Sequence, residues 1–281
     1  GSPEEGLRLA QEAVGTLRQM DRRRERLIPL ACLALNGAFL NRQAEVEAAS
    51  KEALEIAREV GDAWAEAGSL AWLSFGAFRS GDLEKAARLA KQSLAMYEEQ
   101  GDRIAQTWPL VFLGTLAATA GDLVEAQATY KRGLRNAEEI GYQRGRQLFH
   151  NNLGDVVLRG GEIQEAERHY LTSLAISEEI GQTREIVGTL YDLATVKASD
   201  QEEERAVELL SLVLRHPAST QYSALRRRAI EEEASSLLRK LEDRLPSEAY
   251  AAARERAKGL ELETVVEELL GRTPFRVPSK R

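Results

Sequence analysis

The sequence predicts an all-α chain organised as a solenoid of antiparallel helix pairs, and three observations carry that prediction. Leucine recurs in steps of forty at Leu33, Leu73, Leu113, Leu153 and Leu193, and again at Leu54, Leu94, Leu134, Leu174 and Leu214. Glycine keeps the same step in two sets offset by twenty, Gly81, Gly121 and Gly161 in one and Gly61, Gly101, Gly141 and Gly181 in the other. Abundant Ala, Leu, Glu and Arg with only 7 prolines favour helix throughout. A fixed period of this length marks stacked repeats, here two helices and two turns per unit.

The elements follow in chain order. Residues 3–20 form the second helix of an incomplete unit: Ser2 caps, Pro3 opens the first turn, and Glu4 and Glu5 face the helix dipole. Five pairs come next, near 23–40 with 43–60, 63–80 with 83–100, 103–120 with 123–140, 143–160 with 163–180, and 183–199 with 202–215. Gly61-Asp62, Gly81-Asp82, Gly101-Asp102 and Gly121-Asp122 each set a left-handed glycine before an aspartate N-cap, and Asp122 with Glu125 has capping-box spacing. Gly141-Tyr142, Gly161-Glu162 and Gly181-Gln182 keep the glycine and lose the aspartate, so those helix starts fray more. Pro29 and Pro109, eighty residues apart, either kink two first helices and widen the face they line or mark helices that begin later. Past Pro217 the register weakens. Residues 220–244 and 247–258 still read as a helix pair, a short helix at 261–270 ends at Gly271, and 272–281 reads as a flexible tail. The chain thus divides into a repeat array at 1–215, a divergent pair with a capping helix at 216–271, and the tail at 272–281. Gly1-Ser2 has the look of an expression scar, which suggests a piece cut from something longer.

Small residues have a packing reason. Ser74, Gly114, Gly154 and Ala194 follow the repeating leucine, Ala86, Ala126, Ala166 and Ala206 sit on the partner helix, and both sets let helix backbones approach closely. Tyr130, Tyr170 and Leu210 are expected to fill the gap between neighbouring units, with Ala90 the thin member of that series. The run Leu153, Gly154, Gly161, Ala166, Tyr170, Leu174 resembles the tetratricopeptide repeat. Its standard unit is about 34 residues, so each unit here carries roughly six more. That longer form resembles the repeats of kinesin light chains and of bacterial signal-transduction ATPases with numerous domains, including maltose-activator- and LuxR-type regulators. The segment 245–270 resembles the closing cap of such arrays. The resemblance covers residues 3–215 and implies a right-handed superhelix whose first helices line a concave groove.

Carried over position by position, the resemblance places Trp72, Phe75 and Arg79 inward from the second unit and Trp108, Phe112 and Thr115 from the third. Asn151, Asn152, Asp155 and Arg159 follow from the fourth, and Tyr191 and Asp192 from the fifth. Aromatics then crowd one stretch and amides and charges the next, which suits a partner with an apolar anchor beside polar groups. The alternative for Trp72, Phe75 and Phe112 is packing between adjacent units. On the groove reading, Asn151 and Asp155 contribute to a partner and nothing to folding stability. The basic clamp for a free carboxylate, known from chaperone-binding tetratricopeptide domains, is not matched.

Composition narrows the function classes. At 43% hydrophobic content the chain is too apolar to stay disordered. A single cysteine, Cys32, excludes an intramolecular disulfide and points to a reducing, cytoplasmic setting. No leader-like segment opens the chain and no apolar run nears the ~20 residues of a membrane span. A net charge of -7 opposes a nucleic-acid partner. The basic clusters Arg22-Arg23-Arg24 with Arg26 and Arg226-Arg227-Arg228 lack flanking aromatics and read as solvated helix faces. His150, His169 and His216 show no metal-ligand spacing, no phosphate-binding loop is present, and adjacent acids such as Glu178-Glu179 point to different faces. The sequence therefore predicts no enzyme, no metal and no cofactor. It predicts a scaffold for a protein, a peptide or a small effector, as the sensor region of a larger regulator. A freestanding adaptor or self-associating scaffold is the alternative, and a nucleic-acid-associated regulator the distant one.

Overall fold

The computed structural model describes residues 3–218 and 224–272, with the side chains of all of these but 224–229. Among the described residues there are fourteen α-helices and no strand. They are α1 Pro3–Gln19, α2 Leu27–Phe39, α3 Gln43–Val60, α4 Ala63–Arg79, α5 Leu83–Glu99, α6 Thr107–Thr119 and α7 Leu123–Glu139. Then come α8 Gln143–Arg159, α9 Ile163–Glu179, α10 Thr183–Ser199, α11 Glu203–Arg215, α12 Ala224–Arg244, α13 Ser247–Lys258 and α14 Leu262–Leu269. The expected start of the 220–244 helix and nearly all of the 272–281 tail lie outside the described residues.

The turns set the helix lengths. One residue in the left-handed region stands at every twentieth position from Asp21 to Gln201. Seven of these positions are glycines, and Asp21, Asn41 and Gln201 adopt the same conformation at φ of 52°, 56° and 64°. After each, the next amide reaches back to the carbonyl five residues earlier: Asp62 to Ala57 at 2.8 Å, Arg42 to Gly37 at 2.7 Å, Glu202 to Lys197 at 3.0 Å. Asp62, Asp82, Asp102 and Asp122 then accept the amides of Ala65, Lys85, Ala105 and Glu125 at 2.9–3.1 Å. Glu162 and Gln182 make no such side-chain cap.

The prolines do not kink their helices. The first helices α2 and α6 begin at Leu27 and Thr107, four residues later than the sequence spacing suggests, so Pro29 and Pro109 are third residues. An amide there has no intrahelical carbonyl to meet, so proline breaks nothing.

The described residues fall into two compact units, one of 3–145 with 224–226 and one of 146–218 with 227–272. In the first, each helix from α1 to α7 packs on the next, and the first helices α2, α4 and α6 also touch one another. Arg22 pairs with Glu25, Arg23 with Glu55 and Glu59 at 2.9 Å, Arg26 with Glu52 at 3.3 Å, and Arg18 also with Glu52. That basic cluster is therefore an ionic strap onto α3. The cluster Arg226–Arg228 lies among the undescribed side chains. In the second unit α9, α10, α11 and α13 pack in succession. Arg215 donates to the carbonyls of Ala257 and Leu260 at 2.5 and 2.6 Å, satisfying the last turn of α13.

Inside the hairpins a small residue faces a large one. Tyr130 lies over Gly114, and Tyr170 lies over Gly154 so closely that a Cβ there would sit 2.5 Å from its ring. Both rings therefore fill space in their own hairpins; the sequence reading had put them between units. Where the ring is absent, at Ala90, the facing Ser74 donates to the Ala86 carbonyl at 2.7 Å. At the same register the α10–α11 hairpin carries Ala194 and Leu210, both fully buried. Gly154→Ala is expected to cost about 1–3 kcal/mol by overpacking. Tyr170→Leu in that background recreates the Ala194–Leu210 combination and should recover part of the loss, as thermal melts of the two variants would register.

Candidate functional site

Residues forty apart hold the same place in their own hairpins, so the first helices present comparable faces. In the first unit that face is mostly apolar. Helices α2 and α6 contain no charged residue, and α4 contains only Glu66 and Arg79. Five rings from these three helices form one cluster. Trp72 meets Trp108, Phe112 and Phe75 at centroid distances of 5.3, 5.7 and 6.3 Å. Phe112 meets Phe75 at 5.6 Å and Trp108 at 6.0 Å, and Phe39 meets Trp108 at 6.2 Å.

The rings divide by depth. Trp72 and Phe112 are 8% and 9% exposed and pack between neighbouring first helices. Phe39, Phe75 and Trp108 are half-buried and present ring surface to solvent. Ile28, at the register of Trp108, is 76% exposed. Cys32, at the register of Trp72 and Phe112, is an exposed free thiol. Arg79 is exposed and donates to Asn41 Oδ1 at 2.7 Å, which ties it to the preceding turn. The Thr115 hydroxyl reaches the Val111 carbonyl at 2.8 Å and the Tyr130 hydroxyl at 3.0 Å, so it braces the hairpin.

The second unit carries polar first helices. Asn151 Oδ1 accepts from Thr189 at 3.3 Å, and the Asn152 amide is fixed by donation to the Leu148 carbonyl at 2.7 Å. Asp155 is exposed, but it accepts from the buried Tyr170 hydroxyl at 2.7 Å. Burial raises the Tyr170 phenol far above its ordinary range, and the Asp155 and Asp192 carboxylates add to the effect. Asp155 is thus a structural acceptor, and replacing it would strand a buried hydroxyl, contrary to its expected neutrality for folding. Tyr191 donates to Glu233 at 3.0 Å; burial, with that carboxylate and Asp192, pushes its phenol up to about 12. Asp192 is half-buried and Arg159 exposed at the end of α8.

Three features escaped the sequence reading. Phe39 and Ile28 were signalled by register, standing forty before Arg79 and eighty before Trp108, and were passed over because their own helix is apolar all round. His150 and His169 meet across the α8–α9 hairpin with Nδ1 atoms 3.0 Å apart. His150 occupies the register of Leu30, Leu70, Leu110 and Leu190, each at most 4% exposed. Burial, then His169 and Arg146, push the His150 imidazole down to about 4. The third feature lies on the other face of α6, where an open groove of about 760 Å³ runs between α5 and α7. Leu94, Leu110, Leu113 and Leu116 form its floor and Lys91, Glu84 and Glu125 stand along it.

No family model matches the sequence, and no curated protein is significantly similar to it. Solved structures are similar in fold. A Rap protein complexed with competence and sporulation factor shares 14% identity over 94% of this chain and 86% of its own, with a TM-score of 0.65. NprR in complex with its cognate peptide NprX shares 16% over 97% and 83%, with a TM-score of 0.62. A signal-transduction ATPase with numerous domains and a tetratricopeptide repeat sensor, from Pyrococcus horikoshii, shares 15% over 96% of this chain, which spans 44% of that protein's length, with a TM-score of 0.63. The fold is thus a tetratricopeptide-like α-solenoid. Among the described residues no helix is long and apolar enough to cross a membrane.

The depth of the rings separates packing from presentation. Trp72→Ala, which empties the centre of the cluster, is expected to destabilise by about 3–5 kcal/mol. Ile28→Ser at the exposed rim should stay within about 0.5 kcal/mol of wild type. Chemical denaturation of both variants measures the contrast.

Proposed function

We propose that the chain is a non-enzymatic scaffold that holds a peptide or protein segment against its first-helix faces. The observation that carries this reading is the aromatic face of α2, α4 and α6, where Arg79 at the end of α4 is tied to Asn41. There Ile28, Phe39, Phe75 and Trp108 keep apolar surface in water that could have been buried or made polar. Solvent-exposed rings over a rigid buried ring layer form a pre-organised anchor site for an apolar side chain. A peptide or protein fits this open aromatic face better than a small effector, which needs enclosure.

The neighbours support this reading. NprR and the Rap protein were solved with a peptide and with a competence factor, and the archaeal ATPase carries its repeats as a sensor. By analogy this chain is the sensor region of a larger cytoplasmic signal-transduction regulator.

The test places charge on the anchor face. Ile28→Asp and Cys32→Asp alter exposed positions and should leave the melting curve near wild type. Both should weaken capture of aromatic-anchored peptides from a library by about tenfold or more, an anchor's share of binding energy. Unchanged capture by both variants would remove the anchor face from the function.

A further inference from the structure

The α8–α9 hairpin departs from the others at one place. The core position filled by Leu30, Leu70, Leu110 and Leu190 holds His150, and a second imidazole, His169, comes from the facing helix. Two leucines would bury there at no polar cost, whereas an imidazole pair must find partners or lose free energy. The pair's own contact is a single Nδ1···Nδ1 approach of 3.0 Å, with ring centroids 5.2 Å apart. Such a bond uses one proton between two nitrogens. It explains how the pair is tolerated and leaves unexplained why it displaces a leucine.

The orientation supplies the reason. Both Nδ1 atoms point at one another, and two nitrogens on a tetrahedral zinc ion stand about 3.3 Å apart for bonds of ~2.0–2.1 Å. The rings need open by only a few tenths of an ångström. One helical turn before His169, Glu165 places a carboxylate oxygen 3.9 Å from Nε2, beyond hydrogen-bond distance. A rotation of that side chain would let it accept an Nε2 proton, the usual outer partner of a metal-bound imidazole. Arg146 lies near His150. Both rings are half-buried, and the equivalent residues Leu110 and Thr129 line the open groove over α6.

We infer that His150 and His169 bind a borderline divalent transition metal, with Zn²⁺ as the reference ion, through their two Nδ1 atoms. No third His, Cys, Asp or Glu joins a metal-binding group among the described residues, so water completes the coordination. Binding is therefore reversible, unlike that of a closed structural zinc site. It needs no net proton loss: the Nδ1 proton of the donor ring moves to its own Nε2, and each imidazole remains neutral. A metal at this point clamps α8 to α9, the hairpin that carries Asn151, Asn152 and Asp155.

The metal alone is the probe. After chelator treatment, the full chain is titrated with ZnCl₂ by calorimetry and with CoCl₂ by visible absorption. One saturable site per chain is expected, together with a rise in melting temperature. His150→Leu restores the residue of the four sister units, so it should fold at least as well and lose the site. His169→Leu should lose it as well. Glu165→Gln should weaken it by about 10–100-fold, and His216→Ala should leave it intact. Absence of saturable uptake by wild type, or uptake by His150→Leu and His169→Leu equal to that of wild type, overturns the inference. Neither result touches the peptide-scaffold reading.

Discussion

Each hairpin turn closes through one residue in the left-handed region, and the spacing of those residues governs the rest of the structure. A seventeen-residue helix is about 25 Å long at a rise of 1.5 Å per residue, and three further residues complete each half-unit. Because the half-unit does not vary between Asp21 and Gln201, a side chain and its counterpart forty positions on hold the same place in their hairpins, whatever their depth. Leu30, Leu70, Leu110, His150 and Leu190 are one such series; Cys32, Trp72, Phe112, Asn152 and Asp192 are another. The series run through both units, and within each the chemistry changes while the position does not.

The second constraint is the separation of the two helices in a hairpin. Gly114 under Tyr130 and Gly154 under Tyr170 trade volume across the contact, and Ala194 with Leu210 holds the same register with a smaller difference. Only the tyrosine pairs carry a hydroxyl through to the first-helix face. There Tyr130 meets Thr115 and Tyr170 meets Asp155. The polar pattern of that face is partly a by-product of how the interior is packed. This is why Asp155, a plausible groove residue from sequence, has a structural duty.

Much of this architecture was legible because the turns are written in glycine and aspartate, residues whose backbone preferences are strong enough to show in a single sequence. Turns at Asp21, Asn41 and Gln201 were less visible, since non-glycine residues adopt the left-handed region only under tertiary constraint. The prolines were ambiguous for a related reason. Their meaning depends on whether two or six residues precede them in the helix, and boundaries are the least certain feature of a periodic pattern. At the site, register identified which residues share the first-helix face but not their depth, so Trp72 and the half-exposed Phe75 were indistinguishable. The histidine pair lay beyond single-helix spacing altogether, because it forms between helices running in opposite directions about Gly160-Gly161.

Two places break the chain's own rules, and they break them in opposite senses. On α2, α4 and α6 the exposed face is apolar where α8 and α10 are polar, and in the α8–α9 core an imidazole pair stands where sister hairpins have leucine. Folding explains neither. A polar rim at Ile28 would cost the fold nothing, and a leucine at His150 would add buried apolar area worth roughly 25 cal/mol per Å². In a chain whose repeats otherwise agree at the level of turns, caps and packing, local departures that fail to stabilise the fold are where selection for something else is visible. Stability in such an array is a near-sum of unit and nearest-neighbour terms, so a departure in one hairpin weakens that hairpin and leaves the rest standing. That tolerance is what allows a solenoid to carry an apolar face in one unit and an imidazole pair in another without losing its fold.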